Sequence, residues 1–217
     1  GFWNVILDKT VKGAIEQEAY EKKFNIAGVD EVGRGCLAGP VYTAAVVLDL
    51  WKLFTLSPKE KSLIRDSKKL SVKQKKEALK IIERICLSKA IGVSSERIIE
   101  KKGIVPATFQ AMTQALNSLE HPYKKVYVDG NKTIPGFTKA EQEFLIKGDS
   151  LSYTIAAASI IAKIARDDYM LKQAEYYPGY GFEKHVGYGT KAHLEAIDIL
   201  GITPLHRRNF APISQKL

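Results

Sequence analysis

Residues 26–48, IAGVDEVGRGCLAGPVYTAAVVL, constrain this chain more than any others. Asp30 and Glu31 stand side by side inside an apolar run that otherwise reads as a buried β-strand. Burying two carboxylates is costly unless a cation meets them. A lysine or arginine partner meets that demand, and so does a hard divalent cation, which prefers oxygen ligands. Gly33-Arg34-Gly35 follows at once. A Gly-x-Gly after a strand is usually a plain tight turn. Here, however, acid, guanidinium and backbone without a Cβ converge on one spot, which suits a phosphodiester.

The charge balance agrees with a polyanionic partner. Lys and Arg number 33 against 24 Asp and Glu, a net charge of +9. That excess favours nucleic acid or an acidic membrane surface without choosing between them. At 217 residues, 45% hydrophobic and 26% charged, the chain has the make-up of one globular domain with a sizeable core, which excludes disordered and fibrous readings. Only Cys36 and Cys86 occur, without metal-ligand spacing, so neither a disulfide framework nor a zinc site is expected and a reducing cytoplasm fits. No apolar run approaches ~18 residues, and the first residues lack the basic-then-apolar order of a secretion signal.

Strands are expected over 24–32 and 41–50, paired as a hairpin across Gly39-Pro40, and over 90–94, with 51–58 read as loop. Residues 59–80 carry nine Lys or Arg against three acids, a solvated and strongly basic helical face. Within them Asp66-Ser67-Lys68-Lys69-Leu70 precedes a helix that starts with the capping-box pair Ser71 and Gln74 and continues through Val72, Leu79, Ile82 and Cys86. A hydroxyl and two lysines are therefore presented from a loop. A helix over 107–119 aligns Phe109, Met112, Leu116 and Leu119 as a core stripe.

Strands over 124–130 and 144–149 each end in an acid, Asp129 and Asp149. An Asp-Gly at a strand end is most often a turn. Two such acids beside the pair on the first strand nevertheless place four carboxylates where strand ends converge, and open α/β sheets bind ligands there. Four acids in one crevice repel one another without cations, which is the physical case for metal. The longest helix, 152–177, packs small residues on the sheet and carries Lys163, Arg166 and Asp167, the last two read as an ordinary ion pair. Tyr188 lies between glycines and is displayed for stacking, and Thr190 caps a helix that stops at Gly201. His206-Arg207-Arg208 reads as basic support for a duplex. In 1–23, Phe2, Trp3, Val5, Ile6 and Leu7 form an apolar cluster and 14–23 a short charged helix. No chemistry is assigned to either.

GVDEVGRGCLAGPV resembles the opening signature of the type 2 ribonucleases H (ribonuclease HII), and later motifs agree with that family in order from about Ile26 to about Phe210. The resemblance implies a ribonuclease H-like α/β fold: a mixed five-stranded sheet flanked by helices, with a C-terminal helical extension. Its first three strands form an antiparallel meander, and its last two enter through helices. The catalytic domain is 24–217, preceded by an extension of unknown role over 1–23. The implied activity is cleavage of the RNA strand of RNA/DNA hybrids and incision of DNA duplexes 5′ of embedded ribonucleotides, leaving 3′-hydroxyl and 5′-phosphate ends. Asp30, Glu31, Asp129 and Asp149 would hold two Mg²⁺ or Mn²⁺ ions. Gly33, Arg34 and Gly35 would read the 2′-hydroxyl, Ser67 and Lys68 would hold a phosphate, and Tyr188 would contact the substrate. Pro106 stands where many members have asparagine. A cytoplasmic monomer is expected, with no membrane partner, and the terminal SQKL shows no sliding-clamp peptide. The competing readings are a type 3 ribonuclease H, which usually differs at the arginine, and a catalytically silent hybrid-binding module.

Overall fold

In the computed structural model, which describes residues 7–217, the acid-bearing run becomes the central strand of a five-stranded sheet. The cluster expected at Phe2, Trp3, Val5 and Ile6 lies outside the described residues. In chain order the elements are α1 (Ala14–Glu21), β1 (Ile26–Val32), β2 (Val41–Leu48), α2 (Leu50–Phe54), α3 (Pro58–Leu63), α4 (Val72–Ile85), β3 (Cys86–Ser94), α5 (Glu96–Lys102) and α6 (Ile104–Asn117). There follow β4 (Lys125–Asp129), β5 (Glu141–Leu145), α7 (Gly148–Leu151), α8 (Tyr153–Tyr176), α9 (Phe182–His185) and α10 (Lys191–Leu200). The strand order is β3-β2-β1-β4-β5. Strands β1 to β3 form the expected antiparallel meander, whereas β4 runs parallel to β1 and β5 parallel to β4.

Both faces of the sheet are covered, and the side chains alternate accordingly. Ile26, Ala44, Val46 and Leu48 enter a core with α1, α4 and α8, while Ala27, Val29, Ala45 and Val47 enter a second core with α6. Gly28 sets how closely α8 approaches. A Cβ there would lie 2.8 Å from the Thr154 carbonyl carbon and 2.9 Å from the Ile155 nitrogen. The first turn of α8 therefore rests directly on β1. Two residues along the same face stands Asp30.

The start of α8 is fastened from a distance. Ser152 caps it by accepting from the Ile155 N–H, and the fully buried Glu16 of α1 accepts from Ser152 Oγ at 2.8 Å and Thr154 Oγ1 at 2.9 Å. The Tyr153 and Thr154 N–H groups point to the same carboxylate at 3.3 and 3.5 Å. Burial pushes the Glu16 pKa up, and these donors pull it back down. No helix among the described residues is long and apolar enough to cross a membrane.

Several expected boundaries shift. Residues 50–54 form α2, taking in the end of the expected second strand and the start of the expected loop, because Asp49 caps the Lys52 N–H and Leu50 and Leu53 share a buried face. Helix α4 buries Ala78, Ile81, Ile82 and Ile85 and leaves Val72 exposed, so its true apolar face ends earlier and β3 starts at Cys86. The final strand is 141–145 rather than 144–149, with Phe144 exposed on the sheet edge. Nor does β5 enter through a helix. Residues 130–140 are polar and interrupted by Pro135-Gly136, so they cross over as a loop. Gln142 braces that loop by donating to the Ile134 and Phe137 carbonyls, both at 2.9 Å, and accepting from the Ile134 N–H at 2.6 Å.

Candidate active site

Register places the acids. Val29 pairs with Val128, so Asp30 and Asp129 come next to each other at the carboxyl ends of parallel β1 and β4. Asp30, Glu31 and Asp129 each offer an oxygen within 4.8 Å of the other two. Asp149 arrives differently from expectation. It sits on the short α7, reached through Lys147 in the left-handed region at φ 53°, and its N–H donates to Asp129 Oδ1 at 3.3 Å. The structure thus brings three of the four acids into one close group and sets Asp149 on the wall of the same cleft.

That cleft, of about 490 Å³, is lined by all ten residues singled out from the sequence: the four acids, Gly33, Arg34, Gly35, Ser67, Lys68 and Tyr188. Ser159 and Lys163 of α8 line it too. Sequence reading missed both. The available signal was spacing: Ser159, Lys163 and Arg166 fall at i, i+4 and i+7, a polar stripe that begins within the apolar first half of the helix. Ser159 Oγ donates to Ser67 Oγ at 2.9 Å, which leaves the Ser67 hydroxyl proton without an acceptor among the described residues. Asp66, also unforeseen as a site residue, caps this turn by accepting from the Lys68 N–H at 3.0 Å.

The electrostatics are those of crowded anions. Burial, then Asp129, Glu31 and Asp149, hold the Asp30 pKa well above the usual carboxylate range. Burial raises Glu31 and Asp129 as well, opposed by Arg34 and Lys68 respectively. Asp149 is pushed up to about 6 by burial, Asp129 and Asp66. Glu31 Oε2 is buried with no hydrogen-bond partner. An all-oxygen donor set, mutual repulsion and a buried oxygen without a partner together fit a hard divalent cation.

The glycine loop separates into two roles. Gly33 has φ 85°, and a Cβ there would lie 2.2 Å from Arg166 Nε, so packing alone requires glycine. A Cβ on Gly35 would meet nothing within 4 Å. The protein itself makes no demand for glycine at that position, which opens on the cleft.

Behind the loop lie two fully buried arginines, where the sequence pointed to an ordinary ion pair at Arg166 and to basic support for a duplex at Arg207. Arg166 does not pair with Asp167, which binds Lys163 at 2.8 Å. It donates instead to the carbonyls of Pro40, Ala38 and Val186 at 2.9, 2.9 and 2.5 Å. Arg207 is no duplex support either. It donates to the carbonyls of Gly39, Arg34 and Gly33 at 2.9, 2.9 and 2.6 Å. A buried guanidinium is tolerated where its nitrogens find oxygens, and here each of the three nitrogens of both arginines meets a backbone oxygen. Burial, first of all, lowers the Arg207 pKa to about 10.

His206 is likewise buried, in a chain whose tautomers follow from its partners. His193 Nδ1 meets the Tyr188 carbonyl at 2.8 Å, so it donates there and Nε2 accepts. His206 Nε2, 2.9 Å away, is therefore the donor, and its Nδ1 accepts from the Thr203 N–H at 2.9 Å. This chain holds the backbone of Tyr188, whose side chain is 39% exposed with Lys163 Nζ 5.9 Å from the ring centre.

A mixed sheet with acids gathered at adjacent parallel strand ends, under a cleft edged by lysine, arginine and bare backbone, defines a ribonuclease H-like phosphodiester-cutting enzyme. Solved structures share the fold. The structure of ribonuclease H2 from Pyrococcus horikoshii OT3 superposes with a TM-score of 0.73 at 24% identity, covering 88% of this chain and 96% of that one. Bst-RNase HIII in complex with Mn²⁺ gives a TM-score of 0.68 at 19% identity over 88% of this chain and 68% of that one. The chain belongs to the ribonuclease HII family. The model of that family, Ribonuclease HII, matches residues 27–213. A Ribonuclease HII of Ligilactobacillus salivarius is 46% identical over 208 residues, 94% of this chain and 76% of the relative. The protein is accordingly a ribonuclease H, an endonuclease, and neither the silent-module nor the type 3 reading is favoured.

Proposed function

We propose that the chain cuts the RNA strand of RNA/DNA hybrids and incises DNA duplexes on the 5′ side of embedded ribonucleotides, leaving 3′-hydroxyl and 5′-phosphate ends. It would act as a cytoplasmic monomer, with 24–217 as the catalytic domain and 1–23 as its extension. The observation that carries this reading is the joining, in one cleft, of the Asp30, Glu31 and Asp129 group with the open backbone at Gly35.

Asp30, Glu31, Asp129 and Asp149 would hold Mg²⁺ or Mn²⁺. When bound, such ions supply an activated water and stabilise the leaving 3′ oxygen. Ser67 offers its free hydroxyl proton and Lys68 its exposed ammonium to a substrate phosphate. Gly33, Arg34 and Gly35 meet the 2′-hydroxyl, the group by which a protein tells RNA from DNA at one position. Tyr188 offers a ring face to the neighbouring sugar.

The test is a duplex carrying a single ribonucleotide, assayed with and without Mg²⁺. Asp30→Asn and Asp129→Asn are each expected to abolish cutting and leave duplex affinity largely intact, because lysines and arginines supply most of the attraction. Near-normal cleavage by either variant sinks the acid assignment.

A further inference from the structure

We infer that Arg207 is a positioning residue for recognition of the ribose: it turns the Gly33-Arg34-Gly35 backbone so that two N–H groups face the substrate. The inference rests on the reading that this loop meets the 2′-hydroxyl.

The argument is one of peptide geometry. Arg207 Nη2 and Nη1 draw in the carbonyl oxygens of Gly33 and Arg34 at 2.6 and 2.9 Å. Both peptides are trans, since the cis bond among the described residues is Ala211-Pro212. In a trans peptide the N–H points opposite to the C=O. The N–H of Arg34 and the N–H of Gly35 are therefore turned away from Arg207. Neither has an acceptor among the described residues, and both residues line the cleft that holds the acids. A Cβ at Gly35 would meet only open space. Two adjacent free donors beside an unobstructed backbone form a concave cradle for one oxygen. The guanidinium reaches both carbonyls because its donors form a rigid fork, and an ammonium has no such fork. Arg166 holds the other side of the same backbone through Ala38 and Pro40, so losing Arg207 frees the two peptides while the loop stays anchored.

The test compares affinities in a chain made cleavage-silent by Asp30→Asn, for an all-DNA duplex and for the same duplex with one ribonucleotide. Added to that chain, Arg207→Lys is expected to reduce the ribonucleotide preference about tenfold, as losing aim in two hydrogen bonds implies. The all-DNA affinity should stay within about twofold, since phosphate contacts supply it. A residue that only supports the fold would weaken both duplexes together. An unchanged preference in a folded Arg207→Lys chain overturns the proposal. If that variant does not fold, amide hydrogen exchange in the Asp30→Asn parent decides. The Arg34 and Gly35 amides should exchange rapidly alone, slow down with the ribonucleotide duplex, and stay rapid with all-DNA. Equal behaviour with both duplexes overturns it. A parent chain with no ribonucleotide preference at all would instead fault the reading of the loop on which the proposal stands.

Discussion

Buried histidines make the Tyr188 loop sensitive to acid. His206 is held at about 4 by burial and by His193, and His193 is lowered for the same first reason. Both are neutral in the fold, whereas the unfolded chain takes up protons near the ordinary histidine value of about 6.5. The unfolded state then binds more protons, so stability falls as pH drops from about 6.5 towards about 4. For His206 the full effect is on the order of 3 kcal/mol. Urea unfolding at several pH values should show this slope, and His206→Asn should flatten it; an equally steep slope in the variant would clear His206 of the effect. Comparing slopes removes the constant cost of the substitution. Asp30, Glu31 and Asp129 stood out in the sequence because each interrupts or ends an apolar strand, and Gly33 and Gly35 because they follow one at once. Arg166, Arg207 and His206 did not. Arg207 bonds backbone oxygens 168 to 174 residues away, two of the three that Arg166 bonds lie 126 and 128 residues away, and His206 is buried through a histidine chain, so nothing near them in the sequence names their partners.

Elements position the acids through their ends. Strand β1 was legible almost to the residue, as were the Ser71 capping box and the stop of α10 at Gly201, because apolar period, caps and glycine agree there. The segment carrying Asp149 was not. Its preceding strand lies on the sheet edge, where Phe144 faces water and alternation loses its meaning. What fixes α7 is the helix that follows it. Glu16 ties α1 to the first turn of α8, and Ser152, which closes that tie, is three residues from Asp149. Glu16→Ala strands the Ser152 and Thr154 donors in the core and is expected to cost roughly 2–4 kcal/mol. Thermal melts read that loss directly. At a temperature where the variant is fully folded, its kcat should still fall, since Asp149 loses its anchored neighbour. Unimpaired turnover there would confine Glu16 to stability.

Over the whole molecule, residues 59–80 account for a net +6 of the +9, and the Ser67–Lys69 turn among them opens on the cleft. Lys68→Ala should weaken every duplex about equally and make the slope of log affinity against log salt shallower by about 0.9, one phosphate's worth. A change confined to the choice of cutting position would refute that role. The chain's long-range contacts also have a meaning in time. Gly33 and Arg207 are separated by 174 residues. At synthesis rates of about 5–20 residues per second, the glycine loop emerges roughly 9–35 s before the guanidinium that shapes it. On the proposed role of the loop, a nascent chain carries its acids and its basic surface before it can tell a ribose from a deoxyribose, and selectivity is the last property that synthesis completes.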